Sequence, residues 1–302
     1  MSVPALPPLP PRSATEIVDG AVQLVRPQFG YFLRIAAIGA IPSLLQSVIT
    51  LVVFPTQPAD PAALIQQQLK LFPLTLLTYA FATVQSGAII SGALALLRGD
   101  ALPTVWTAYS ATFRRFPALL GANLLLLLAL LVILLPVVAG LAFLGTAGGA
   151  ALVGLGATGT AGLVAGVVLA IAVLVVVLFL AVSVFARSAV MTSLVVGETL
   201  GPMAALRRSQ TLSRGNYLLL AKTYGLVMVI IVVVYGVMAG IASAFRDQQQ
   251  VVQALLSVLI IPVTPIIGGV MLLTYADLRV RREGADLDAA LDALPGATLP
   301  GA

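Results

Sequence analysis

The side chains in this sequence that are best suited to chemistry are arginines, and several occur in small clusters. Arg207, Arg208 and Arg214 lie close together in the second half of the chain, and Arg114 and Arg115 are adjacent in the first half. A guanidinium group forms paired, charge-assisted hydrogen bonds with phosphate oxygens, so these five residues are candidate contacts for lipid headgroups or for an acidic partner. The alternative interpretation is a topology signal with incidental lipid contact.

Two residue types that carry much of enzyme chemistry are missing, since the sequence contains no His and no Cys. Thiol nucleophiles, iron–sulfur clusters and His-based acid–base catalysis are therefore excluded, and zinc bound by its usual ligands is not expected. The long apolar segments also hold no pair of carboxylates for acid–base work. We therefore predict no catalytic residue, no metal and no cofactor, and we expect that the protein is not an enzyme.

The composition predicts a membrane protein. Hydrophobic residues make up 60% of the chain and charged residues only 9%, whereas soluble domains carry about 25% charged residues. A soluble fold of this size could not bury so much apolar surface. The net charge of +5 is spread over short connections, a distribution that favours anionic lipid as the partner and argues against nucleic acid.

Crossing a membrane takes about 20 apolar residues for a hydrocarbon core of about 30 Å. The apolar runs predict an all-α fold, a polytopic bundle of six transmembrane helices, with spans at about 31–54, 73–97, 118–144, 163–185, 217–245 and 251–275. These spans form a membrane domain of residues 13–282, between a disordered, proline-rich tail (1–12) and a C-terminal tail (283–302). The uncharged stretch 145–162 fits a loop, an interfacial helix or a re-entrant segment.

The positive charges predict the orientation of this bundle. With six spans, every Lys and Arg except Lys70 and Arg246 lies on one side of the membrane. Because cytoplasmic connections are enriched in Lys and Arg, we expect both termini to be cytoplasmic, in a plasma membrane.

Three amphipathic segments precede the first, third and fifth spans and predict helices that lie in the cytoplasmic interface. The first begins at Ser13, which has Glu16 at the spacing of a capping box. The residues expected to share the apolar or aromatic face are Ile17, Val18, Ala21, Val22 and Val25 in the first segment, Trp106, Tyr109, Phe113 and Phe116 in the second, and Ala205, Leu206, Ser209 and Leu212 in the third.

Helix breakers are concentrated in the sixth span, where Pro262, Pro265, Gly268 and Gly269 are expected to interrupt the helix. Transporters use broken helices to expose backbone within the membrane, and kinks satisfied by neighbouring helices are the other outcome.

The few polar residues within the apolar runs are expected to hydrogen-bond neighbouring helices. They are Gln46, Gln85, Ser86, Asn123 and Ser183.

Two blocks of the sequence resemble a known family. One runs from Glu198-Thr199-Leu200-Gly201-Pro202 to Leu212-Ser213-Arg214-Gly215, and the other is Tyr275-Ala276-Asp277-Leu278-Arg279-Val280-Arg281-Arg282-Glu283-Gly284. They resemble bacterial six-span proteins labelled the glycerophosphodiester phosphodiesterase membrane domain, which are similar to other uncharacterised multi-span families. The resemblance implies the membrane part alone, because in proteins with both parts the phosphodiesterase chemistry belongs to a separate soluble barrel that uses His and metal-binding carboxylates.

In the second block we expect a short helical extension with local ion pairs that docks on other cytoplasmic helices. Its motif residues are Tyr275, Asp277, Arg279, Arg281, Glu283 and Gly284.

The leading hypothesis is a non-catalytic integral membrane protein that organises lipid or a membrane partner, such as another membrane protein or a second copy, at the cytoplasmic face. The alternative is a transporter or lipid-handling protein that works through a broken sixth helix.

Overall fold

The computed structural model describes residues 11–54, 60–143, 164, 168, 190–245, 251–252 and 258–284. Its regular structure is helical, and no strand occurs among these residues. The stretch 145–162, both predicted tails apart from residues 11–12 and 283–284, and the fourth predicted span apart from Val164 and Val168 lie outside the described residues.

Within the described ranges the helices, in chain order, are α1 (Ala14–Val25), α2 (Phe29–Val53), α3 (Pro61–Arg98), α4 (Val105–Phe113), α5 (Phe116–Phe143), α6 (Met191–Gly197), α7 (Pro202–Ser213), α8 (Tyr217–Ala244) and α9 (Thr264–Glu283). Short 3-10 turns, Arg26–Gln28 and Ile261–Val263, lead into α2 and α9.

Among the residues that the structure describes, four helical stretches are long and apolar enough to cross a membrane. They are Ala14–Val53, Ile65–Arg98, Tyr217–Ile241 and Ile261–Glu283. A fifth candidate is the pair Val105–Phe113 and Phe116–Val132, which is bent by 70°. Over the described residues, a helical bundle with candidate membrane-spanning helices is therefore confirmed, while the count of six spans stays a prediction.

The helix of the second span is longer than predicted at its N-terminal end. The Asp60 side chain accepts a hydrogen bond from the Ala62 backbone N–H at 3.2 Å, and Pro61 occupies the first helical position, where it needs no N–H partner. The helix then continues through Pro73, where the apolar run had been expected to begin. Hydropathy missed this first part of α3 because it contains polar residues, whereas its start is fixed by the cap.

The predicted capping box at the start of α1 is confirmed. The Ser13 backbone N–H donates to the Glu16 carboxylate at 2.6 Å, and the Glu16 backbone N–H donates to the Ser13 hydroxyl at 3.3 Å. Two amides that would otherwise lack partners in the first turn are thereby satisfied.

Part of the apolar face of α1 packs on protein, while the expected position of this helix in the membrane interface stays a prediction. Ile17, Ala21 and Val25 are all buried. A Cβ placed on Gly269 of α9 would lie 3.2 Å from the Cβ of Ala21, so the two helices are in close contact. The helix also continues through the 3-10 turn into α2 as one 40-residue stretch, Ala14–Val53. The amphipathic pattern therefore marks a helix–helix contact.

The aromatic stripe predicted on α4 divides between two faces. Trp106 and Phe113 are 81% and 67% exposed. Tyr109 instead turns inward, and its hydroxyl donates to the Ile35 carbonyl of α2 at 2.7 Å. The predicted stripe is thus wrong for Tyr109, because its side chain faces α2 and bonds a backbone carbonyl there.

Polar residues within the apolar runs link neighbouring helices as predicted. The Gln85 amide donates to the Ala36 carbonyl at 3.1 Å, the Gln46 amide to the Thr75 hydroxyl at 3.0 Å, and the Asn123 amide to the Thr83 hydroxyl at 3.3 Å.

The remaining two polar residues do not confirm that expectation. The Ser86 hydroxyl bonds the Ala82 carbonyl of its own helix. Ser183 lies outside the described residues.

Candidate functional site

Most of the residues that the sequence singled out lie at one end of the bundle. We call this region the charged end, and it comprises the joint between α4 and α5 (113–116), the connection 198–201, helix α7 with the following Arg214, and the last part of α9 (275–284). The Arg115 side chain contacts the end of α6, and the Arg208–Glu283 ion pair joins α7 to α9. Residues that are far apart in sequence are therefore brought into one region.

A partly buried ionic network, the carboxylate–arginine cluster, connects α7, α9 and the connection 198–201. It consists of Glu198, Arg208, Tyr275, Arg279 and Glu283. The Glu198 side chain is only 5% exposed, and its carboxylate accepts from the Tyr275 hydroxyl at 2.8 Å and from Arg208 Nε at 3.3 Å. Arg208 also contacts Glu283, which accepts from Arg279 Nε at 3.1 Å.

Helical spacing explains how α9 contributes three members of this cluster. Tyr275, Arg279 and Glu283 follow one another at intervals of four residues, which places them on one face of the helix. The Arg279 guanidinium carbon lies 5.8 Å from the Tyr275 ring centroid, within range of a cation–π interaction. The helix ends at Gly284, whose φ of 61° suits a residue without a Cβ.

The connection 198–201 carries the fourth member, Glu198. Its next residue, Thr199, has a φ of 58°, a left-handed conformation that is uncommon for a residue other than glycine. Pro202 then begins α7 at a position where proline is favoured. The backbone turn thus separates α6 from α7 while the Glu198 side chain stays bonded to Tyr275 and Arg208.

A second contact, the N-terminal anchor, ties the start of α1 to the end of α9. It consists of Arg12, Asp277 and Arg281. The buried Asp277 carboxylate accepts from the Arg12 backbone N–H and from Arg281 Nε, each at 2.6 Å. Arg281 Nη2 also donates to the Arg12 carbonyl at 2.7 Å. The Arg281–Asp277 and Arg279–Glu283 pairs confirm the local ion pairs predicted in the second block.

These arrangements fit a structural role better than a reactive one. Each of the carboxylates of Glu198, Asp277 and Glu283 has an arginine partner. Removing one partner from a buried ion pair leaves an uncompensated charge, so such pairs fix the relative positions of the elements that carry them. Within the described part of the chain, no group of His, Cys, Asp and Glu could hold a metal ion.

The five arginines predicted as phosphate contacts fall into two groups. Arg208 is used in the carboxylate–arginine cluster, and Arg115 Nη1 donates to the carbonyls of Val195 and Val196 at 3.2 and 2.5 Å, near the C-terminal end of α6. Arg114, Arg207 and Arg214 are exposed. The structure therefore leaves these three on the surface and uses the other two inside the fold.

The predicted break in the sixth span is shorter than expected. Pro262 lies in the 3-10 turn, and Pro265 lies in the first turn of α9. Gly268 and Gly269 lie within the continuous helix α9 and are buried. A Cβ on Gly268 would come within 2.5 Å of the Ile89 side chain of α3. The two glycines thus permit close helix packing, and they do not interrupt the helix.

Comparison of the chain with family models, curated proteins and solved structures finds no match. Membership of the family named above therefore stays a prediction. The two blocks that carry the resemblance do contact each other, because Glu198 and Arg208 of the first bond Tyr275 and Glu283 of the second.

The sequence pointed to both blocks but not to their pairing. No spacing rule connects Glu198 with Tyr275, which is 77 residues away. Arg12 was missed as well, since its backbone rather than its side chain makes the contact with Asp277.

Proposed function

We propose that this protein is a non-catalytic integral membrane protein that organises lipid or a membrane partner at the cytoplasmic face. The observation that carries the proposal is the exposure of Arg114, Arg207 and Arg214 at the charged end. No ion pair involves them within the described ranges. Cations on a surface next to apolar helices attract anionic lipid headgroups.

Nearby apolar side chains support the same proposal. Phe113 directly precedes Arg114 and is exposed, as are Trp106 on the same helix and Leu218 a few residues after Arg214. Aromatic and aliphatic groups beside arginines are typical of a surface that meets the boundary between headgroups and acyl chains. On this proposal the charged end faces the cytoplasm of a cell whose plasma membrane holds the bundle.

The carboxylate–arginine cluster gives this surface a fixed shape. Arg207 and Arg208 are neighbours on α7, and Arg208 is held by carboxylates of the connection 198–201 and of α9. The proposal therefore assigns Arg208 to positioning and the exposed arginines to binding from the surface.

The test uses the full-length protein in nanodiscs that contain equal amounts of phosphatidylglycerol and phosphatidylcholine. Native mass spectrometry then counts the lipids that stay bound after the protein is released from the nanodiscs. Replacing Arg114, Arg207 and Arg214 together by Gln should lower phosphatidylglycerol retention several-fold, because each cation near an anionic surface contributes about 1 kcal/mol. Lys70→Gln is the matched control, since Lys70 is an exposed cation near the opposite end of α3.

Unchanged retention in the triple variant would argue against lipid binding at this surface. A stable co-purifying protein, or a second copy whose contact depends on the same three arginines, would favour the partner form of the proposal.

The transporter alternative has one observation in its favour, the 3-10 turn Ile261–Val263 that precedes α9. It predicts flux of a lipid or hydrophobic solute in reconstituted vesicles, and Pro262→Ala should reduce that flux. Flux through the native protein would favour this alternative over the non-catalytic organiser.

A further inference from the structure

A cavity of about 310 Å³ lies where the last turns of α3 meet α4, the joint that follows α4, and the end of α6. Its polar lining includes Arg98, Asp100 and Arg115, and its apolar lining includes Leu94, Pro103 and Val196. The volume is at the lower end of the range for small-molecule sites, about 300 to 1,000 Å³. It can accommodate a headgroup-sized ligand but not a complete two-chain lipid.

One nitrogen of the Arg98 guanidinium group lacks a partner among the residues that the structure describes. This atom, Nε, is buried and makes no hydrogen bond with any of those residues. Burying a polar donor without a partner is unfavourable, and more so when the group is charged. Such a group therefore calls for a ligand that accepts a hydrogen bond and carries negative charge.

The second guanidinium group at the cavity, that of Arg115, is held in place by backbone carbonyls. Arg115 uses Nη1 to bond the carbonyls of Val195 and Val196. A guanidinium group has five N–H donors, so its other nitrogens remain available to a ligand. Arg98 ends α3 and Arg115 lies in the joint between α4 and α5, so the two cations reach the cavity from different parts of the chain.

The charge balance of the lining favours a monoanion. Arg98 and Arg115 carry positive charge and Asp100 carries negative charge, which leaves one net positive charge among these three residues. A phosphodiester carries one negative charge, whereas a phosphate monoester carries about −1.5 to −2 at neutral pH. The apolar lining suits the carbon substituents of a diester.

The position of Arg98 along its helix suggests where such a group would come from. Arg98 is the last residue of the candidate span Ile65–Arg98. The end of a transmembrane helix lies close to the depth of the lipid phosphates, since the headgroup region flanks the hydrocarbon core. A phosphodiester at this depth can belong to a membrane lipid or to a soluble compound that enters from the aqueous side.

From these observations, we propose that the cavity between Arg98 and Arg115 binds the phosphate group of an anionic phosphodiester. This site deepens the proposed function and rests on it, because it gives one specific lipid-binding position at the surface assigned to lipid. It is separate from the exposed arginines Arg114, Arg207 and Arg214, which act through the charge of the surface.

The test measures binding of phosphatidylglycerol and, separately, of dimethyl phosphate, a soluble phosphodiester, to the detergent-solubilised full-length protein by native mass spectrometry. Arg98→Gln should weaken binding about tenfold, since it removes a charge-assisted hydrogen bond. Arg26→Gln is the matched control. Arg26 is exposed and lies just before α2. The start of α2 is near the C-terminal end of α3, because Tyr31 of α2 is close to Gly92 of α3. Arg26 is therefore a cation at the same end of α3 as Arg98. This control should change binding less than twofold.

A second variant keeps the proposal testable if Arg98→Gln folds poorly. Ala111 lines the cavity, and Ala111→Leu should fill part of it while leaving both guanidinium groups in place. It should also weaken binding by at least several-fold. Equal binding by the native protein, Arg98→Gln and Ala111→Leu would overturn the proposal.

The probes also identify the source of the phosphate group. Arg98-dependent binding of phosphatidylglycerol alone supports the site with a membrane lipid as its ligand. Arg98-dependent binding of dimethyl phosphate alone supports it with a soluble phosphodiester as the ligand, and binding of neither overturns it. If the cavity variants have no effect while the triple Gln variant of the exposed arginines still loses lipid, only the cavity is rejected and the proposed function stands.

Discussion

The hydrogen bond between Tyr275 and Glu198 is the contact in the carboxylate–arginine cluster that can be removed with least disturbance. Tyr275→Phe deletes a single oxygen atom, and the native residue is only 2% exposed, so solvent has little access to the vacated position. A hydrogen bond to a charged group contributes about 1.5–3 kcal/mol. Because Glu198 keeps Arg208 as a partner at 3.3 Å, we expect a loss near the lower limit, about 1.5–2 kcal/mol.

Hydrogen–deuterium exchange of the full-length protein in nanodiscs measures this loss where it should occur. The amides of the connection 198–201 and of the last part of α9 should exchange at least tenfold faster in Tyr275→Phe, since about 1.4 kcal/mol corresponds to a factor of ten. Tyr235→Phe is the matched control. Tyr235 is exposed on α8, so this change should leave exchange within about 0.5 kcal/mol of the native protein.

A double-mutant cycle with Glu198→Gln separates the contact from other effects of each change. Two residues in direct contact give a coupling energy of about 0.5–3 kcal/mol, and independent residues give additive effects. Additive effects would refute the argument that the Tyr275–Glu198 bond connects α9 to the connection 198–201. Exchange in Tyr275→Phe that matches the Tyr235→Phe control would refute it as well.

Three further changes test the packing and the helix ends. Gly39→Ala should lower stability by about 1–3 kcal/mol in a thermal unfolding assay, because its Cβ would clash with the buried Gln85 side chain, whereas Gly30→Ala meets no atom and should be neutral or stabilising. A stable Gly39→Ala variant would contradict the close contact of α2 and α3. Ser13→Ala should cost about 1 kcal/mol and speed exchange only in the first turn of α1, so unchanged exchange there would contradict the capping box. Asp277→Asn should loosen the N-terminal anchor and speed exchange at residues 12–16, with the connection 198–201 unaffected; equal acceleration at both places would contradict two separate contacts.

Features set by local spacing were predictable from the sequence. The capping box of Ser13 and Glu16 and the ion pairs of Arg279 with Glu283 and Arg281 with Asp277 all join residues three or four positions apart. Helix type and the positions of most apolar runs follow from the same short-range patterns. Distances along a helix are fixed by its geometry, so no knowledge of the tertiary fold is needed.

The partner of an apolar helix face could not be predicted in the same way. Ile17, Ala21 and Val25 have the spacing of a helix on a lipid surface, and the same spacing suits a helix that packs on protein. Their burial against α9 depends on Gly269, which lets the two helices approach. Long-range pairs such as Glu198 with Tyr275 are likewise set by how the helices are arranged, which no single segment encodes.

The division between Arg207 and Arg208 shows how binding and stability can be separated in this protein. The two residues are adjacent, but successive positions on a helix point in directions about 100° apart, so one is exposed while the other reaches Glu198 and Glu283. The charge of Arg208 is balanced within the fold, and the charge of Arg207 is not. Replacing Arg208 should therefore affect stability more than lipid retention. Replacing Arg207 should affect lipid retention more than stability. Because the two side chains carry the same charge on the same helix, a difference between their variants must come from the pairing of Arg208 with the two carboxylates and not from net charge.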